Sequence, residues 1–123
     1  MTGEPSLLVE KVKDVTIVTF RDATLLDTIT IQQLASSLYD LVEQQGSHRV
    51  VLCFAHVKSL SSAMLGVLLT MKDKIEEADG RMVLAALSKD LRRLFEMTAL
   101  HKLFQFADDN DEALAQLGVA AEG

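Results

Sequence analysis

The segment Arg49-Val50-Val51-Leu52-Cys53-Phe54 ends in five consecutive apolar residues, with no polar residue among them to face water. A half-buried strand alternates apolar and polar positions, whereas a short unbroken run suits a strand covered on both faces, as the central strands of parallel sheets are. A strand of that kind requires layers packed against the sheet, so the chain around it should switch between strand and helix periods. It does. Residues from Leu7 to Lys13 and from Val15 to Phe20 are densely apolar and β-branched, and Lys13-Asp14 between them forms the turn of a hairpin. Beyond Asp27 the period becomes helical: Ile31, Leu34, Ala35, Leu38, Leu41 and Val42 share one face, with Asp27 or Thr28 as N-cap and Gly46 as the stop.

Downstream of the apolar run, Ser62 to Ala78 reads as a second helix. It is apolar all round from Met64 to Leu69, so its first two turns are expected to be buried. Gly80 ends it, and Arg81 to Ala86 is a further strand. Ser88 caps a third helix with Leu91, Leu94 and Phe95 inward and Lys89, Arg92 and Arg93 outward, stopping near Thr98. A short strand near Leu103 to Phe106 precedes a last helix with Leu114 and Leu117 inward. The acidic group from Asp108 to Glu112 stands at its start, where a helix dipole favours negative charge. The order β-β-α-β-α-β-α-β-α, without internal repeats, predicts an α/β fold around a mixed, mostly parallel sheet. In that sheet the hairpin strand from Leu7 alone runs antiparallel and Cys53 is buried. A chain of 123 residues makes one domain. It is expected over residues 7–117, with 1–6 and 118–123 as flexible termini.

Composition narrows the function. Twelve Lys and Arg stand against 18 Asp and Glu, a net charge of −6, with no basic cluster interleaved with aromatics, so nucleic acid is not an expected partner. The single Cys excludes an internal disulfide and fits a reducing cytoplasm. No leader pattern opens the chain and no stretch approaches ~18 apolar residues, so direct membrane insertion is not expected. The six glycines are too scattered for a phosphate-cradling loop. His48, His56 and His101 lack metal-ligand spacing, and the acidic run lacks the glycine and distal glutamate of a calcium loop. Neither cofactor nor metal is expected. Ser61 or Ser62 with His56 suggests a hydrolase, but Leu60 and Met64 occupy the positions where a nucleophile elbow needs glycine, and the sequence identifies no acid to orient His56. Catalysis is therefore not expected. Cys53 and the methionines at 64, 71, 82 and 97 read as core filling.

The segment Val57-Lys58-Ser59-Leu60-Ser61-Ser62-Ala63-Met64-Leu65-Gly66 joins the apolar strand to the second helix and carries three hydroxyls ahead of N–H groups that need acceptors. It has two readings. In one, Ser61 or Ser62 is a helix cap and Ser59 a polar loop residue. In the other, one hydroxyl is phosphorylated, because a helix N-terminus accommodates a phosphate and the added charge is sensed without refolding.

The element order, the strand Val50 to Phe54, this segment, the helix ending Glu77-Ala78-Asp79-Gly80, and the stretch Leu94-Phe95-Glu96-Met97-Thr98-Ala99-Leu100-His101-Lys102-Leu103-Phe104 together resemble a STAS domain, the family of the bacterial anti-sigma factor antagonists. The resemblance spans roughly Leu7 to Leu117. In that family the loop reads Asp-Ser-Ser/Thr-Gly-Leu-Gly, and a kinase-type anti-sigma factor phosphorylates the serine after the aspartate. Aligned on Leu65-Gly66, that serine is Ser62, with Ser61 as the alternative. Ser61 stands in the aspartate's place, Ala63 in that of the second hydroxyl, and Met64 in that of the glycine. A family turn of the form Gly-x-Leu-Asp resembles Thr24-Leu25-Leu26-Asp27 without its glycine. The resemblance implies a non-enzymatic regulatory module that contacts an anti-sigma factor, a serine-protein kinase, through Thr24, Asp27, Ser59, Ser61, Met64 and Leu65. On this implication phosphorylation of Ser62 releases the partner through a docking patch built on Met64 and Leu65. An alternative is an unphosphorylated scaffold or accessory subunit of a signalling or lipid-transport complex.

Overall fold

Lys13 adopts a left-handed backbone (φ 56°) and lets the chain reverse within two residues. Strands β1 (Leu7–Val12) and β2 (Val15–Phe20) therefore pair antiparallel from Val12 opposite Val15 to Leu7 opposite Phe20. The computed structural model describes residues 7–22, 24–25 and 28–119. After the hairpin come β3 (Thr24–Leu25), α1 (Thr28–Glu43), β4 (Arg49–Cys53), β5 (Ser59–Leu60), α2 (Ser62–Glu77), β6 (Arg81–Ala85), α3 (Lys89–Met97), a short 3-10 turn (Leu100–Lys102), β7 (Gln105–Ala107) and α4 (Asn110–Gln116). The main sheet has the order β1-β2-β4-β6-β7, with β4 in the middle and every pairing parallel except that of β1.

Alternation along the strands divides the core. Val18, Phe20, Val50, Leu52 and Leu84 meet the apolar stripes of α1, α2 and α3 on one face, while Val15, Ile17, Val51, Val83 and Ala107 meet α4 on the other. Cys53 is 5% exposed, as the expected register requires. The buried hydroxyls of Thr16 and Ser47 satisfy each other, Thr16 Oγ1 donating to Ser47 Oγ at 3.1 Å. Among the described residues, no helix is long and apolar enough to cross a membrane.

Two glycines shape the connections. Gly46, at φ +68°, closes the turn after α1. Gly80 lies so close to the preceding strand's entry that a Cβ there would stand 1.9 Å from the His48 carbonyl oxygen, which accepts the Arg81 N–H at 2.8 Å. The start of the β4–β6 ladder thus leaves no room for a side chain at Gly80.

Several expectations are corrected. The first turns of α2 are not buried all round: Met64, Leu65, Leu68, Met71 and Ile75 face inward, but Ser62, Ala63, Gly66 and Thr70 are exposed and Leu69 is half-buried. One buried stripe suffices because α2 lies on the sheet and, among the described residues, its outer side is left exposed. Met97 is not core filling; it ends α3 at 76% exposure. The last strand begins at Gln105 rather than Leu103, because the 3-10 turn occupies 100–102 and leaves Leu103 exposed. Thr28 is the first residue of α1 and not its cap; Asp27 lies outside the described residues. Val119, expected with the flexible terminus, is buried, while Gly118 beside it is exposed. Val119 is 5% exposed, and its N–H donates to the Leu114 carbonyl at 2.9 Å. Residues 1–6 and 120–123 lie outside the described residues.

Candidate functional site

Parallel strands deliver the chain repeatedly to one edge of the sheet, so the segments that follow β2, β4 and β6 gather at a single end. Two of these segments are also stitched together. β3, after the first, pairs in parallel with β5, after the second, setting Thr24 opposite Ser59 and Leu25 opposite Leu60. Thr24 and Ser59, which the sequence ties only to separate motifs, are therefore neighbours on one rung. Strands of two residues leave no periodic signal, and this ladder was not foreseen. The one hint is that both segments place a hydroxyl residue ahead of a leucine.

The loop between β4 and β5 is anchored from beneath. Phe54 is fully buried, packs against Phe20 with ring centroids 4.9 Å apart, and donates its N–H to the Ala85 carbonyl at 2.9 Å. Val57 is 2% exposed, and its N–H reaches back to the Phe54 carbonyl at 3.0 Å. Between and beyond these anchors, His56 and Lys58 face solvent. Leu60, buried, then leads into α2.

The helix entry resolves which serine caps. Ser61 has the extended backbone of an N-cap (φ −90°, ψ 166°), and its Oγ accepts the Met64 N–H at 3.2 Å. Ser62 is the first helical residue and is exposed, and no hydrogen bond among the described residues engages its hydroxyl. Ala63 and Gly66 beside it are also exposed, and a Cβ on Gly66 would meet nothing within 4 Å. The exposed side of the first turns of α2 is small and bare.

Met64 and Leu65 do not form a surface patch. Met64 is fully buried and Leu65 is 7% exposed, both within the core that α2 shares with the sheet. The helical stripe Met64, Leu68, Met71 and Ile75 turns them inward, which removes Met64 as a partner-contacting residue in this conformation. Of the remaining sequence candidates, Thr24 is exposed, Ser59 and Ser61 are half-buried, and Asp27 lies outside the described residues. Among the described residues, no group of His, Cys, Asp and Glu is placed to hold a metal. An exposed ion pair lies at the other end of the sheet, where Arg49 reaches Asp14 at 2.5 Å; its hydrogen bond holds the Asp14 carboxyl below its ordinary range.

Separation of capping from exposure can be measured. Ser61→Ala is expected to lower the unfolding free energy by about 1 kcal/mol through loss of the cap. Ser62→Ala should stay within about 0.5 kcal/mol of the parent in urea unfolding, as exposed substitutions do.

The profile of the STAS domain matches residues 6–113. BtrV of Bordetella bronchiseptica, a candidate anti-sigma factor antagonist, is 28% identical over 95 residues, which cover 77% of this chain and 81% of that one. The anti-sigma F factor antagonist of Paenibacillus polymyxa is 24% identical over 96 residues, 78% of this chain and 82% of its own. In structure, a candidate anti-sigma factor antagonist from Thermotoga maritima superposes with a TM-score of 0.81 at 20% identity, over 91% of this chain and 94% of the other. The phosphorylated form of the Bacillus cell fate determinant SpoIIAA superposes with a TM-score of 0.70 at 18% identity, over 90% and 98%. With a family profile running through nearly all of the described residues and a fold shared end to end with such structures, the chain belongs to the STAS domain family.

Proposed function

We propose that this protein is an anti-sigma factor antagonist that binds a kinase-type anti-sigma factor through the end of the sheet carrying Thr24, Ser59 and Ser62, and that phosphorylation of Ser62 releases it. The observation that carries the reading is the division of labour at the start of α2: Ser61 holds the cap, so the exposed Ser62 hydroxyl is available to a kinase without loss of the helix entry. A phosphate there stands in the first turn, where the helix dipole stabilises negative charge. Inside a docked interface the same dianion must be desolvated against the partner, and an unpaired buried charge costs several kcal/mol. The proteins it resembles support the direction: its relatives are named for antagonism of anti-sigma factors, and a neighbour in fold has been solved phosphorylated.

Departures from the family loop are absorbed beneath the surface. Serine and aspartate are both good N-caps, so Ser61 keeps the geometry that an aspartate would hold. Met64, in the place of a glycine, points into the core and leaves the exposed side of the turn unchanged. The contacting surface passes instead to Thr24, Ser59, Ser62, Ala63 and Gly66.

Incubation with the kinase-type anti-sigma factor and ATP should place one phosphate on Ser62, read by mass spectrometry. Ser62→Asp should weaken partner binding by about tenfold or more with a melting temperature within a few degrees of the parent. Ser62→Ala should bind and not be released by ATP. A phosphate on Ser61 moves the switch by one residue. If both serines stay bare and Ser62→Asp binds like the parent, Ser62 is no switch and the unphosphorylated scaffold takes its place.

A further inference from the structure

Burial of Met64 and Leu65 leaves only the small residues Ser62, Ala63 and Gly66 exposed in the first turns of α2. Tight protein interfaces are centred on a few large groups that desolvate on contact, and small residues such as Ser62, Ala63 and Gly66 cannot supply one. The chain does expose such groups elsewhere: among the described residues they are Leu8, Val9, Ile29, Met97 and Leu103. Met97 ends α3 and Leu103 precedes β7, so both lie at the opposite end of the sheet from Ser62. Leu8 and Val9 lie on the outer strand β1, separated from β4 by β2, with Leu8 on the α4 side of the sheet.

Ile29 is different. It is 66% exposed in the first turn of α1. The rung that sets Leu25 opposite Leu60 brings the two chains into register just before their helices begin, at Thr28 and Ser62. α1 and α2 then run packed on each other. Ile29 is the second residue of one helix and Ala63 the second of the other, so the exposed isoleucine and the bare turn share one rim. An isoleucine two-thirds in water at a helix entry adds little to the core, so its removal should leave the fold intact.

We infer that Ile29 is the apolar anchor of the surface on which the kinase-type anti-sigma factor docks. The inference rests on the reading above and supplies a large apolar group that Ser62, Ala63 and Gly66 do not. The partner's complementary feature is an apolar pocket facing the first turn of α1, beside the groups that contact Ser62. Ile29 positions the chain for phosphorylation and takes no part in phosphate transfer.

The test uses the whole chain and a kinase-type anti-sigma factor, with Ile29→Ala, Ile29→Asp and, as a control at the opposite end, Met97→Asp. Calorimetric titration should show Ile29→Ala binding weaker by about fivefold or more, Ile29→Asp weaker still, and Met97→Asp within about twofold of the parent. All three should keep the parent melting temperature within a few degrees. In phosphorylation of Ser62, KM should rise in parallel with Kd while kcat at saturation is unchanged. If the parent binds and is phosphorylated but both Ile29 variants bind within about twofold of it, the anchor is overturned and the proposed function stands. Equal weakening by Met97→Asp and Ile29→Asp also overturns the anchor, because the loss is then not specific to that rim. If the parent neither binds nor takes phosphate, the functional reading falls and the anchor with it.

Discussion

Gly80→Ala should destabilise the domain by about 3 kcal/mol, the upper part of the range for forced overpacking, because the obstacle is backbone and not a flexible side chain. The added methyl would stand 1.9 Å from the His48 carbonyl oxygen and 2.8 Å from its carbon. Relief requires that His48 or Gly80 move, and the His48 oxygen is the acceptor of the Arg81 N–H that opens the β4–β6 ladder. The substitution therefore strains a contact and weakens a sheet hydrogen bond together. For a chain of this size the melting temperature should fall by roughly 10 °C. Gly66→Ala provides the contrast. Its Cβ meets nothing within 4 Å, and alanine is favoured over glycine inside a helix by about 0.5–1 kcal/mol, so this variant should be more stable than the parent. Urea unfolding of the pair gives opposite signs for one chemical change. A Gly80→Ala protein within about 1 kcal/mol of the parent would mean that the His48–Arg81 junction is looser than described.

Leu68→Ala should cost about 2–5 kcal/mol, the range for emptying a fully buried leucine site. Leu68 is wholly buried in the stripe between Met64 and Met71, with α1 and the sheet packed around it. Its neighbour Leu69 is half-buried, and Leu69→Ala should cost about half as much or less, because part of that side chain is already in water. The sequence makes no distinction between the two. Comparable losses at both positions would show that the outer side of α2 is covered in solution, by a second copy or by another part of the chain.

That pair also illustrates what could be read in advance. The unbroken apolar run of β4 announced a strand with two covered faces, and its central place in the sheet follows from that demand. Similar reasoning placed α1, α3 and α4 to within a few residues, since each shows one apolar stripe and a polar remainder. Composition and orientation part company in α2. Met64 to Leu69 is apolar in every position, so periodicity could not say which side faces in, and Met64 was assigned both to the core and to the surface. Ladders of two residues lie below any periodic signal, yet β3 and β5 bring Thr24 to Ser59. Met97 and Leu103 look like core residues by type. Their exposure follows from the corner made by the end of α3 and the 3-10 turn, which is a matter of tertiary geometry.

The split of α2 between a buried stripe and a bare outer turn has a consequence for cells that carry several proteins of this kind. Stability resides in Met64, Leu68, Met71 and Ile75 and in the Ser61 cap, whereas Ser62, Ala63 and Gly66 contribute little to it. Most substitutions that leave helix geometry in place should thus alter the outer turn at little cost to folding. If that turn is the docking surface proposed above, related proteins sharing one cell could diverge there until each is recognised by its own partner and rejected by the others, which depends on differences in affinity rather than on affinity itself. Insulation between parallel signalling lines would then be accessible one substitution at a time, through intermediates whose core is untouched.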